Sequence, residues 1–175
     1  AAYTASPVRY VMTGKTTWEN IDFKLSGNFF LIIAQFNPVK IGTGCTMVSS
    51  GTAFDGLKFG NAFSILGGYQ SGQSAFTSSD NRDTDITVLS GYNIVIGAYC
   101  RQIAGSFEGT ANITVGGNAK VGVLYTTSTN SDGTNGNVNV TIKDNAEVGQ
   151  ILSGVANYTV KDLKVYWLGG KIELS

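Results

Sequence analysis

The chain is predicted to fold as an all-β solenoid, a single-stranded parallel β-helix in which short strands stack turn upon turn. Two columns of residues predict it. Asp85-Ile86-Thr87-Val88, Asn112-Ile113-Thr114-Val115 and Asn139-Val140-Thr141-Ile142 begin 27 residues apart each time, and a further copy, Asn157-Tyr158-Thr159-Val160, starts 18 residues on. A second column ends in an aliphatic residue followed by glycine, at Gly42, Gly67, Gly97, Gly122 and Gly149, with a mean step near 27. A period of this size, carried by alternating β-branched segments rather than by helical spacing, marks a solenoid. Each copy is too short to bury its own apolar side, so copies must stack on their neighbours, in about five to six rungs.

The elements follow in order along one domain, residues 1–175. Residues 1–17 form a lead-in, with Tyr10-Val11-Met12 as a first strand and Gly14-Lys15 as a turn. The regular rungs occupy residues 18–155. Asn20-Ile21-Asp22-Phe23-Lys24-Leu25 alternates as a half-buried strand should, Ser26-Gly27-Asn28 turns the chain, Phe29–Phe36 makes the next face and Val39-Lys40-Ile41 the third. Three short strands per rung close a parallel β-helix. Residues 156–175 form a shorter C-terminal rung or cap. No linker and no helix of ordinary length is legible.

In-register stacking assigns roles to whole columns. Ile86, Ile113, Val140 and Tyr158 face inward; Thr87, Thr114, Thr141 and Thr159 form a β-branched ladder outside. Asp85, Asn112, Asn139 and Asn157 stack so that their amides can bond one another. The column glycines supply a corner closed to residues bearing a Cβ. Cys45 and Cys100 each follow a column glycine by three residues, which puts them in one column two rungs apart. Two rungs span roughly 9–10 Å, beyond the roughly 7 Å Cα limit of a disulfide. No disulfide is expected.

Composition narrows the function. Lys+Arg and Asp+Glu number 12 each, and neither a basic run nor an RNA-binding aromatic motif occurs, so nucleic acid is not an expected partner. Phe29-Phe30-Leu31-Ile32-Ile33-Ala34 is far below spanning length, so membrane insertion is not expected either. The absence of histidine removes His-dependent triads and the usual His/Cys zinc sites. The chain opens at Ala1-Ala2-Tyr3, as a processed protein or excised module would.

Three clusters carry candidate chemistry. The loop Ser78–Asp85 holds Asp80, Asp83 and Asp85, oxygen ligands suited to Ca²⁺, the one cofactor the sequence offers. The polar stretch Ser128–Asn137, with Asn130 and Asp132, offers adaptable hydrogen bonds to sugar hydroxyls. Tyr69, Tyr99 and Tyr125 each follow a column glycine by two or three residues and would line one edge as an aromatic strip for pyranose faces. Trp18, Tyr166 and Trp167 lie near the two ends and seal the stack. A single clear Thr column is a weak basis for an ice-binding face.

The runs Thr87-Val88-Leu89-Ser90-Gly91, Asn112–Gly122 and Gly136–Ile142 resemble right-handed parallel β-helix modules of large secreted or surface proteins of anaerobic bacteria, within the pectate-lyase-like fold group. The resemblance covers roughly residues 18–155. It is specific for the fold rather than for one function; the function expected first is that of a non-catalytic module, secreted or displayed on the cell surface, that binds a polysaccharide or cell-surface glycan or mediates adhesion beside flanking domains of a larger protein. The fold group also contains calcium-dependent polysaccharide lyases of the pectate type. Those bind the metal through Asp and abstract a proton with Arg or Lys, a role open by resemblance to Arg82 or Arg101. A purely structural spacer is the third alternative.

Overall fold

Alternating β-branched residues build the strands that the repeat requires. The structure, a computed structural model, describes residues 8–25, 30–49, 63–68, 82–96, 109–126, 136–152 and 162–173, and among these there is no helix. Strands β1 (Val8–Val11), β2 (Thr16–Trp18) and β3 (Asp22–Leu25) form a first triplet. A second triplet, β4 (Phe30–Ile33), β5 (Val39–Ile41) and β6 (Thr46–Ser49), stacks on it strand for strand. After β7 (Phe63–Leu66), the described strands come in pairs: β8 (Thr84–Val88) with β9 (Tyr92–Ile96), and β10 (Thr110–Val115) with β11 (Lys120–Tyr125). Two further pairs follow, β12 (Asn137–Ile142) with β13 (Glu147–Leu152), and β14 (Asp162–Trp167) with β15 (Lys171–Ile172).

Every pairing among the described strands is parallel. The strands assemble into a seven-stranded sheet, β1-β4-β7-β9-β11-β13-β15, a six-stranded sheet, β14-β12-β10-β8-β5-β2, and the two-stranded sheet β3-β6. The result is a β-solenoid of about three turns with a spacing near 27 residues. Asp85, Asn112 and Asn139 lie side by side, as do Ile86, Ile113 and Val140, and Thr87, Thr114 and Thr141. These three columns, over β8, β10 and β12, are therefore physical ladders.

Period-2 alternation sorts them. On β10, Ala111, Ile113 and Val115 point inward and are buried, while Thr110, Asn112 and Thr114 are half-exposed. Val138, Val140 and Ile142 repeat the pattern on β12. Ile32, Ile65, Val95 and Leu124 of the seven-stranded sheet complete the core from the other side. Each such side chain contributes roughly 1.5–3 kcal/mol of burial. On β14 the inward positions Leu163, Val165 and Trp167 are exposed, because β14 is the last strand of its sheet.

After every strand of the six-stranded sheet the chain turns through a left-handed residue: Asn20, Gly44, Gly91, Gly117, Asp144 and Gly170. Gly117 has φ 56°, and a Cβ there would run into the carbonyl oxygen of Leu89 in the turn beneath. Asp144 occupies the same corner position at φ 59°, and its Oδ2 accepts a hydrogen bond from Gly117 N at 2.8 Å. That bond ties one corner to the next and offsets the cost of left-handed backbone for a residue with a Cβ.

The structure corrects the sequence reading in three places. Lys164, not Asn157, stands beside Asn139, with Val165 beside Val140 and Tyr166 beside Thr141. Asp162–Trp167 sustains its alternation over six residues, long enough to pair with the whole of β12. The aliphatic–glycine signature also merges two locations. Gly42 follows β5 of the six-stranded sheet, whereas Gly122 and Gly149 lie inside strands of the seven-stranded sheet. Cys45 follows β5 of the six-stranded sheet, the location of Gly42 and not that of Gly122 and Gly149. Cys45 is a buried free thiol that donates to Trp18 O at 3.4 Å; Cys100 lies outside the described residues. Finally, the strand expected over Phe29–Phe36 ends at Ile33, where Gln35 and Phe36 adopt positive φ and turn the chain.

Candidate functional site

The first residues of β9, β11, β13 and β15 share one row. Tyr92 is in register with Lys120, Lys120 with Glu147, and Glu147 with Lys171. Tyr92 and Lys171 directly follow a left-handed corner residue, Lys120 and Glu147 follow one by three residues, and all four are exposed on the outer face of the seven-stranded sheet. Beside this row runs a groove of about 650 Å³, floored by Gly122 and Gly149 and flanked by Gln150 and Glu173. That volume falls within the range of small-molecule and sugar-sized sites.

Glycine makes the floor. β11 carries one residue more than β9 between Val121 and Val123, a bulge with Gly122 as the extra residue. The Tyr92 ring lies over Gly122, where a Cβ would run into the phenol hydroxyl. A Cβ on Gly149 would sit 2.6 Å from the carbonyl oxygen of Gly122. Close stacking of the two glycine backbones leaves a shallow trough with an aromatic wall, and Tyr92 remains 44% exposed.

Charge in the groove alternates. Lys120 Nζ stands 3.6 Å from Glu147 Oε2, with both side chains about half-exposed. An exposed pair of this kind contributes about 0–1 kcal/mol to stability. Lys171 and Glu173 continue the sequence of opposite signs. The site thus offers one aromatic face, cationic donors, anionic acceptors and a backbone floor.

Of the residues expected from sequence, the structure describes Tyr125, Asp83, Asp85 and Arg82. Tyr125 closes β11 with only 6% of its surface exposed, and burial pushes its phenol pKa above the ordinary 10.0. It gives no open ring face to an aromatic strip. Tyr69, Tyr99, Asn130, Asp132, Asp80 and Arg101 lie outside the described residues. Asp83 Oδ1 accepts a hydrogen bond from Thr110 N at 2.9 Å, capping the start of the strand one turn on. Asp85 faces outward beside Asn112, in a smaller groove that also holds Lys15 and Lys40. Arg82 lies over the Phe36 ring at 4.2 Å. Among the described residues no group of three or more His, Cys, Asp or Glu is placed to hold a metal ion.

Sequence reasoning missed Tyr92, Lys120, Glu147, Gln150, Lys171 and Glu173. The available signal was Gly122 with Gly149, legible as a column but assigned to a corner rather than to a floor. Asn139, by contrast, donates to Asn112 as the stacked amides require, Nδ2 to Oδ1 at 3.2 Å. No protein-family model matches the chain, nor does any curated protein or solved structure.

Proposed function

We propose that this chain is a non-catalytic carbohydrate-binding module of a secreted or cell-surface protein, and that the glycan lies in the groove beside Tyr92. The observation that carries the reading is the Tyr92 ring set over Gly122 at the edge of a glycine-floored trough. Pyranose rings present flat C–H faces and a rim of hydroxyls. An exposed aromatic ring with charged donors and acceptors at its edge matches both. A stack of strands is rigid, so the row is aligned before a ligand arrives and less entropy is lost on binding.

The same proposal takes the solenoid as a right-handed parallel β-helix of about five to six rungs, of the pectate-lyase-like kind. The strong bias of parallel crossover connections toward the right hand supports the handedness. Tyr69, Tyr99, Asn130 and Asp132 stay within the proposal as further contacts. The calcium-dependent lyase draws no support from Asp83 or Asp85: one carboxylate caps a strand, and the other shares its groove with two lysines that oppose a second cation.

A glycan array probed with the chain and with Tyr92→Ala tests the reading. Binding to a glycan class that Tyr92→Ala removes, with folding intact by circular dichroism, is the expected result. Equal binding by both proteins would remove Tyr92 from the site.

A further inference from the structure

We infer that the groove takes a neutral, linear glycan lying along the stacking direction, across the strands, with successive sugar units over β9, β11, β13 and β15. The inference rests on the carbohydrate reading above and goes further by fixing the charge class and orientation of the ligand.

Orientation follows from which residues line the trough. Tyr92, Lys120, Glu147 and Lys171 are the first residues of four adjacent strands, and the remaining lining comes from the next few positions. The trough is therefore long across the strands and short along them. Parallel strands lie roughly 4.8 Å apart, close to the length that one unit adds to an extended β-1,4-linked pyranose chain. One sugar per strand keeps successive units in equivalent surroundings, as a repeated scaffold presents them.

Charge class follows from the signs. Lys120 and Lys171 are cationic, Glu147 and Glu173 anionic, so the lining carries no net charge. A polyanion with a carboxylate on every ring would set some of its charges against Glu147 and Glu173, and like charges in contact oppose binding. Neutral hydroxyls suit the alternation, because a hydroxyl accepts from a lysine and donates to a glutamate. The Tyr92 ring covers Gly122 and closes one end of the trough by stacking.

Isothermal titration calorimetry with cello-, xylo- and manno-oligosaccharides of two to six units, beside oligogalacturonates of the same lengths, tests this. For at least one neutral series, affinity is expected to rise from dimer to tetramer by about tenfold, about 1.4 kcal/mol, then to level off. Tyr92→Ala should lower the plateau affinity. Preference for the galacturonates, or affinity already flat from the dimer onward, would overturn the inference while leaving carbohydrate binding in place. Silence from every oligosaccharide and from the glycan array would sink the carbohydrate reading itself.

Discussion

Tyr92 and Gly122 occupy one volume: the phenol ring of the first fills the space where a side chain on the second would stand. A double-mutant cycle measures this dependence. Gly122→Ala should destabilise the protein by about 1–3 kcal/mol through overpacking, and much of that loss should vanish when Tyr92 is already alanine. Chemical denaturation of the four proteins checks it. Equal cost in both backgrounds would mean that the ring does not lie over the glycine.

Core columns set the stability of the stack. Ile113 is buried between Ile86 and Val140 in the neighbouring strands. Ile113→Ala should cost about 2–5 kcal/mol, while Thr114→Ala, one position along and facing outward, should stay within about 0.5 kcal/mol. Urea midpoints for the two variants report the difference.

The amide ladder is worth less, yet it is measurable. Asn139→Ala removes the donor to Asn112 Oδ1 and should cost about 0.5–1.5 kcal/mol, the net worth of a typical hydrogen bond. Thermal unfolding of Asn139→Ala against Asn139→Asp separates loss of the donor from loss of side-chain packing.

Alkaline pH should expose the buried phenol. Desolvation raises the pKa of Tyr125 above 10.0 in the folded state, so the folded protein holds that proton more tightly than the unfolded chain. Its contribution is complete below pH 10 and fades as pH climbs from 10 through the raised folded value. Tyr125→Phe should therefore flatten the alkaline limb of the stability–pH curve and leave the neutral region unaltered in shape. Matching slopes for both proteins above pH 10 would show that the phenol is not desolvated.

The stacked architecture was legible because β8, β10 and β12 have matched alternation and connections of nearly constant length. Constant length turns chain spacing directly into spatial neighbours, which is why Asn112 and Asn139 meet. Legibility failed wherever that regularity breaks. The extra residue at Gly122 shifts β11 against β9, and a one-residue shift changes which side chains face inward. Tyr125 was counted from Gly122, which lies inside β11, whereas Gly67 follows the end of β7; the two glycines are not equivalent positions, and Tyr125 lies buried. Asn157 was placed by motif likeness, but pairing along β12 selected the longer alternating segment that contains Lys164. The groove was illegible for a different reason: Tyr92, Lys120, Glu147 and Lys171 are four different residues, and no repeat search aligns unlike side chains.

Engineered disulfides at Thr114 and Thr141 test the in-register stack most directly, in a background where Cys45 and Cys100 are replaced by serine. Side-by-side positions on adjacent strands lie within the Cα range of a disulfide. The double variant Thr114→Cys/Thr141→Cys is expected to close a bridge on mild oxidation, and Thr114→Cys/Asn139→Cys, two residues out of step, is expected to stay reduced. A bridge in the second variant with none in the first would contradict the register on which both the ladders and the groove depend.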